Sequence, residues 1–101
     1  MERRVVITGM GLVSPIGNDV GTFWSNVIAG KSGIGGILDP SLADYDCKIA
    51  GGVKDFEAGP FFSNPKDARR ADRFAQLGMA ASVMAMKDSG VDLEQVDLDR
   101  F

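Results

Sequence analysis

Arg4-Val5-Val6-Ile7-Thr8-Gly9-Met10-Gly11, followed after a short loop by Asp19-Val20-Gly21-Thr22-Phe23-Trp24-Ser25-Asn26-Val27-Ile28-Ala29-Gly30, is the stretch on which the fold turns. Val5, Val6 and Ile7 form an unbroken β-branched run, the pattern of a strand covered on both faces in a mainly parallel sheet. A strand over Arg4 to Gly9 is therefore predicted. Gly9-Met10-Gly11 loosens the backbone, and Ser14-Pro15-Ile16-Gly17 continues as a loop. Val20, Phe23, Trp24, Val27 and Ile28 then recur at i, i+3, i+4, i+7 and i+8, one apolar stripe on a helix. Asn18 or Asp19 can cap that helix by accepting hydrogen bonds from its unpaired backbone N–H groups. Gly30 is placed to end it as a left-handed C′ residue, with Lys31 near the negative end of the dipole. Strand, glycine turn and amphipathic helix in this order predict an α/β protein.

Working outward, Lys31 to Asp46 carries Gly, Ser, Asp and Pro in quick succession and is predicted to be a long loop. A second strand is predicted from Lys48 to Val53, with Gly51-Gly52 marking close backbone approach or a bulge. Glu57 to Asn64 is a connection, ending in Asn64 as a cap and Pro65 in the first helical turn. One long helix is predicted over much of Lys66 to Ser89, closed by Gly90. Its middle, Phe74 to Met86, is rich in Ala and Met with almost no charge, as in a helix apolar on nearly all sides inside a larger body. Gly78, Ala80, Ala81 and Ala85 would let a partner pack closely there. Asp92-Leu93-Glu94-Gln95 is predicted to cap one short helical turn. Two strands and two helices cannot cover one another's apolar faces, so residues 1–101 are expected to be part of a larger fold rather than a complete domain.

Composition narrows the function by exclusion. At 45% hydrophobic and 25% charged residues, the chain is ordinary for a soluble globular protein. No apolar run approaches the roughly 18 to 20 residues that span a bilayer, and the apolar run near the N-terminus is too short for a signal peptide. A single cysteine, Cys47, forms no internal disulfide. These features predict a cytoplasmic protein with no membrane partner. The sequence has no histidine, so Ser-His-Asp and Cys-His catalysis cannot be built from this segment alone. A net charge of −3 speaks against a nucleic-acid partner. Neither a metal site nor a cofactor is expected here.

Two motifs imitate nucleotide binding. Gly9-Met10-Gly11-Leu12-Val13-Ser14 follows a predicted strand, but the third glycine of a dinucleotide fingerprint is missing, and Pro15 and Gly17 delay the helix that should receive the phosphate. Gly30-Lys31-Ser32 resembles the end of a P-loop, yet Ser25 stands where the earlier glycine belongs, and Gly30 ends a helix where a P-loop begins one. A reactive thiolate at Cys47 would need a base, a cation or a helix N-terminus to lower its pKa, and the adjacent Lys48 would point to the opposite face of a strand, so a small half-buried residue at a strand edge is expected. Lys66, Arg69, Arg70 and Arg73 are different. At i, i+3, i+4 and i+7 a single helix would align them on one face, opposed locally only by Asp67 and Asp72, in a chain of net charge −3. Cations in the first turn of a helix also oppose its dipole, which suggests a cluster serving an external anion. The competing expectation is a solvated face paired with acids of the same helix.

Three stretches together resemble one family. Arg3-Arg4-Val5-Val6-Ile7-Thr8-Gly9-Met10-Gly11-Leu12-Val13-Ser14-Pro15-Ile16-Gly17-Asn18 is similar to the N-terminus of β-ketoacyl-acyl-carrier-protein synthases. Phe23-Trp24, followed by Ile28-Ala29-Gly30-Lys31-Ser32-Gly33-Ile34, resembles the helix and turn that come next. Arg69-Arg70-Ala71-Asp72-Arg73-Phe74-Ala75-Gln76 resembles the segment before the long buried helix, and Asp88-Ser89-Gly90 its end. The likeness covers nearly the whole chain and is nearest to the synthase II type, with Ile37 to Asp46 least distinctive.

The resemblance implies the N-terminal part of a thiolase-type layered αβαβα fold, a homodimer, and a decarboxylating Claisen condensation of an acyl thioester with malonyl-carrier in fatty acid elongation. The family's catalytic cysteine and histidines match no position here, so no catalytic residue is carried over. The family's basic contacts to the acidic acyl carrier protein match Lys66, Arg69 and Arg70, and Phe23, Trp24 and Phe74 to Met86 fall to packing. The alternatives are a polyketide ketosynthase, a coenzyme A-dependent thiolase-fold enzyme, or a short non-catalytic module that binds an acidic partner.

Overall fold

The computed structural model describes residues 2–101 and divides into two compact units. One is Val13–Glu57; the other combines the segment up to Leu12 with Ala58–Phe101.

In Val13–Glu57, Ser14 and Gly17 close a tight loop by exchanging backbone hydrogen bonds of 2.9 and 3.3 Å. Helix α1, Val20–Ile28, follows as its apolar stripe predicts. Of the two candidate caps, Asp19 is used: its Oδ1 accepts from Thr22 N–H at 2.7 Å. Gly30 ends the helix at φ 70°. There the Gly30 N–H donates to Val27 O and the Lys31 N–H to Asn26 O, both at 3.0 Å. This double bond pattern is a Schellman motif, which needs the left-handed conformation glycine adopts without cost.

Strands β1, Ile34–Gly36, and β2, Ile49–Gly51, pair antiparallel with Ile34 opposite Gly51 and Gly36 opposite Ile49. Strand β1 corrects the expectation of an uninterrupted loop from Lys31 to Asp46, and Pro40–Leu42 adds a 3₁₀ turn in the same stretch. Ile-Gly-Gly has neither alternation nor β-propensity, so only its pairing with β2 makes it a strand. The second predicted strand is shortened to Ile49–Gly51. A side chain at Gly51 would meet Pro15 Cγ at 3.2 Å and Ile34 Cδ1 at 3.3 Å, whereas Gly52 has open space. Close approach therefore explains Gly51 alone.

In the other unit, the single long helix expected over Lys66 to Ser89 is two: α2, Pro65–Arg70, and α3, Arg73–Ser89. The break falls at Ala71, ψ 141°, and Asp72, ψ 158°. Aspartate favours the extended N-cap conformation over a helix interior, and Asp72 takes it: its carbonyl receives the Gln76 N–H at 3.0 Å. Gly90 closes α3 at φ 67°, as predicted. Asp92 then caps a single turn, not a helix, and a 3₁₀ turn at Leu98–Arg100 ends the chain.

The strand expected over Arg4 to Gly9 is not formed. Ladder hydrogen bonds need a neighbour, and among the described residues the only paired strands are β1 and β2. Val5, Val6 and Ile7 are 97%, 65% and 84% exposed. Glycines Gly9 and Gly11 instead bring the segment against the backbone of α3. A Cβ on Gly9 would lie 2.5 Å from Ser89 N, and one on Gly11 2.7 Å from Ala85 N. Met10 N–H donates to Asp88 Oδ2 at 2.9 Å between them. Ala81 and Ala85 thus meet a closely packed partner as expected, while Gly78 has open space beside it.

The all-round burial predicted for α3 is not realised within the chain. Its only buried residue is Ala80; Phe74 is 77% and Met79 43% exposed. Trp24 on α1 is 60% exposed and Phe23 half-buried, so the packing role expected for Trp24 is not met within these residues. The buried apolar side chains among the described residues are three alanines, Ala58, Ala68 and Ala80. Among the described residues, no helix is long and apolar enough to cross a membrane.

Candidate functional site

The basic cluster is positioned from Asn64 onward. Asn64 Oδ1 accepts from Lys66 N–H at 3.0 Å, and Pro65 fixes the first helical φ of α2. A six-residue helix cannot hold itself in water. It is held through Ala68, which is 4% exposed, with the 3₁₀ turn Gly59–Phe61 packed against both α2 and α3. At 100° per residue, Lys66, Arg69 and Arg70 occupy an arc of about 100° on the side of α2 opposite Ala68. Burying the alanine therefore turns all three cations outward, and all three are exposed.

The local electrostatics differ from those expected in two respects. Arg69 and Arg70 stand in the last turn of α2, where cations complement the helix dipole, so only Lys66 sits against it. Arg73 begins α3 and leaves the register of the other three; its Nη1 donates to Gln76 Oε1 at 3.1 Å. The expected alternative, pairing with acids of the same helix, is absent: among the described residues no side-chain partner engages Lys66, Arg69 or Arg70. Three cations are thus presented together, with no side-chain partner among the described residues.

Sequence reasoning missed Gln76. Its Nε2 donates to the carbonyls of Ala68 at 2.7 Å and Ala71 at 3.3 Å, on the end of α2, while Oε1 receives Arg73. Only the break at Ala71 and Asp72 brings these groups together, and the sequence pattern ran straight through it.

The remaining candidates resolve as structural. Gly9 and Gly11 serve close approach to α3, and Gly30 ends α1 rather than opening a phosphate loop. Cys47 is exposed rather than half-buried, with its thiol toward Ile49 O at 3.3 Å. A cleft of about 370 Å³ in Val13–Glu57 is lined by Asn18, Asp19, Asn26 and Lys54. Its polar groups are spent on the chain itself. Asn18 Nδ2 donates to Lys54 O at 2.8 Å, Lys54 Nζ to Pro15 O at 3.2 Å, and Asn26 Nδ2 to Ile16 O at 2.5 Å. Hydrogen bonds from Thr22 hold the Asp19 carboxyl below its ordinary range. Among the described residues, no group of three or more His, Cys, Asp or Glu is placed to hold a metal ion.

Comparison with known proteins agrees along the whole chain. The family model described as the β-ketoacyl synthase N-terminal domain matches residues 2–101. A Vibrio cholerae protein named 3-oxoacyl-acyl-carrier-protein synthase 2 is 41% identical over 99% of this chain. Proteins of the same name from Staphylococcus aureus strain COL and from Synechocystis are 43% and 37% identical over the same share. The chain spans 24% of the length of each of these relatives. The family model covers residues 2–101 and these relatives match along 99% of the chain, so the chain belongs to the β-ketoacyl synthase family and has the thiolase-type α/β fold class of that family's N-terminal domain.

Proposed function

We propose that the protein carrying this chain is a 3-oxoacyl-acyl-carrier-protein synthase of fatty acid elongation, and that this segment supplies scaffold and a docking face for the acyl carrier protein. Family membership over residues 2–101 and the shared name of the relatives support the activity. The observation that carries the docking role is the outward, unpaired set Lys66, Arg69 and Arg70 on a helix anchored from its opposite side. An acidic carrier supplies the charge this face lacks.

The reaction is a decarboxylating condensation. An enzyme thiol takes the acyl group from its carrier, malonyl-carrier loses carbon dioxide, and the carbanion formed attacks the acyl thioester to give the 3-oxoacyl product and release the thiol. The chain has no histidine, and the hydrogen bond of the Cys47 thiol goes to a backbone carbonyl, that of Ile49, so these steps belong to residues outside this segment. Residues 1–101 form the start of the first of two similar halves, in a cytoplasmic homodimer.

Reversing the docking charges tests the reading. In the complete enzyme, Arg69→Glu with Arg70→Glu is expected to weaken carrier binding roughly tenfold at low ionic strength and to flatten its salt dependence. Unchanged affinity at low salt would remove the docking role.

A further inference from the structure

Resting on that docking reading, we infer that Gln76 is a positioning residue for the carrier face: its side-chain amide fastens the end of α2 to the start of α3 and so fixes where Lys66, Arg69 and Arg70 point. Helix α2 has six residues, too few for its own hydrogen bonds to hold its direction. Its last carbonyls are left without helical partners, the ordinary condition of a helix end. Ala68 O receives Ala71 N–H at 3.3 Å and Gln76 Nε2 at 2.7 Å, and Ala71 O receives Gln76 Nε2 at 3.3 Å.

The far side of the same amide is also occupied, because Gln76 Oε1 accepts from Arg73 Nη1 at 3.1 Å. The two sides fix the amide's orientation. Carbonyls on one side require the NH₂ group, and a guanidinium on the other requires the oxygen. Gln76 therefore caps one helix from inside the first turns of the next, across an elbow whose backbone is extended at Ala71 and Asp72. The side chain is half-buried, which strengthens its hold relative to a solvated bond. Without the amide, Asn64 and Ala68 would remain to hold α2, and its C-terminal turn, which carries Arg69 and Arg70, would be free to fray.

The test uses the complete enzyme and two substrates. Gln76→Met keeps the length and removes both hydrogen-bonding functions. It is expected to raise KM for malonyl-carrier about five- to tenfold and leave kcat unchanged. The rate at which an acyl thioester of a small free thiol acylates the enzyme should not change, since that reaction needs no docking face. Gln76→Glu keeps the acceptor for Arg73 but sets a carboxylate against the Ala68 and Ala71 carbonyls, and should raise KM at least as much. An unchanged KM in either variant overturns the inference. So does an equal loss with the small thioester, which would mark a general structural role. The Arg69→Glu/Arg70→Glu variant runs beside them. If it raises KM and the Gln76 variants do not, only the positioning role fails; if it too leaves KM unchanged, the docking reading itself has failed.

Discussion

At Gly11 a hydrogen in place of a side chain is what lets the N-terminal segment touch α3. A methyl group there would lie 2.7 Å from both Ala85 N and Met84 Cβ, and the obstacle at Ala85 is backbone that cannot swing aside. Gly11→Ala is expected to destabilise the complete protein by about 1–3 kcal/mol, as overpacking does. A denaturant titration giving an unchanged midpoint would show that the segment lies elsewhere. The glycine pair was legible as a structural turn from the missing third glycine and from Pro15. That its purpose is contact with Ala81 and Ala85, far along the chain, was legible only in halves: small residues on the helix and glycines on the segment, with nothing to join them.

At the scale of elements, α1 was fully legible because its signals are local: an apolar stripe, a capping acid and a terminal glycine. The cap also sets a pH response. Thr22 N–H and Oγ1 both donate to the Asp19 carboxyl and hold its pKa below the ordinary value. A depressed carboxylate contributes stability that is present above its unfolded pKa and lost as pH falls through the folded one. Protection of the Thr22 amide against hydrogen exchange, corrected for the intrinsic rate, should therefore fall on acidification into that range. In Asp19→Asn, which caps without titrating, it should stay flat. A flat response in the parent protein would contradict the cap's ionic character.

The elbow between α2 and α3 was the least legible element. Helical spacing from Lys66 to Arg73 is unbroken in sequence, and the apolar run beyond favours one long helix. Asp72 was the available signal, an N-cap residue at the site of the break, and helical periodicity outweighed it. Strand β1 was hidden for the opposite reason, since a glycine-rich strand has no pattern of its own and exists through β2.

Over the whole molecule, the exposed surface is that of an interior. Val5 to Ile7, Trp24, Ile28 and Phe74 are each at least 65% exposed except Trp24, at 60%. Such surface stands next to three buried alanines that cannot stabilise a fold alone. The sequence announced this excess of apolar surface through β-branched and Ala/Met-rich runs, but not the partners that cover it. In a complete synthase, further strands and helices would cover these faces, leaving the α2 cations on the outside. On the docking reading proposed above, enzyme and carrier would meet through charge, and the acyl group would be recognised by the protein that bears it.

The most direct test is to offer the complete enzyme malonyl groups on acyl carrier protein and on coenzyme A at equal concentration, with an acyl primer, and to measure carbon dioxide released together with 3-oxoacyl product. The expected result is stoichiometric release and product formation from the carrier-borne substrate, with little from coenzyme A at low ionic strength. Equal rates from both donors, or no condensation product from the carrier, would contradict a carrier-docked synthase.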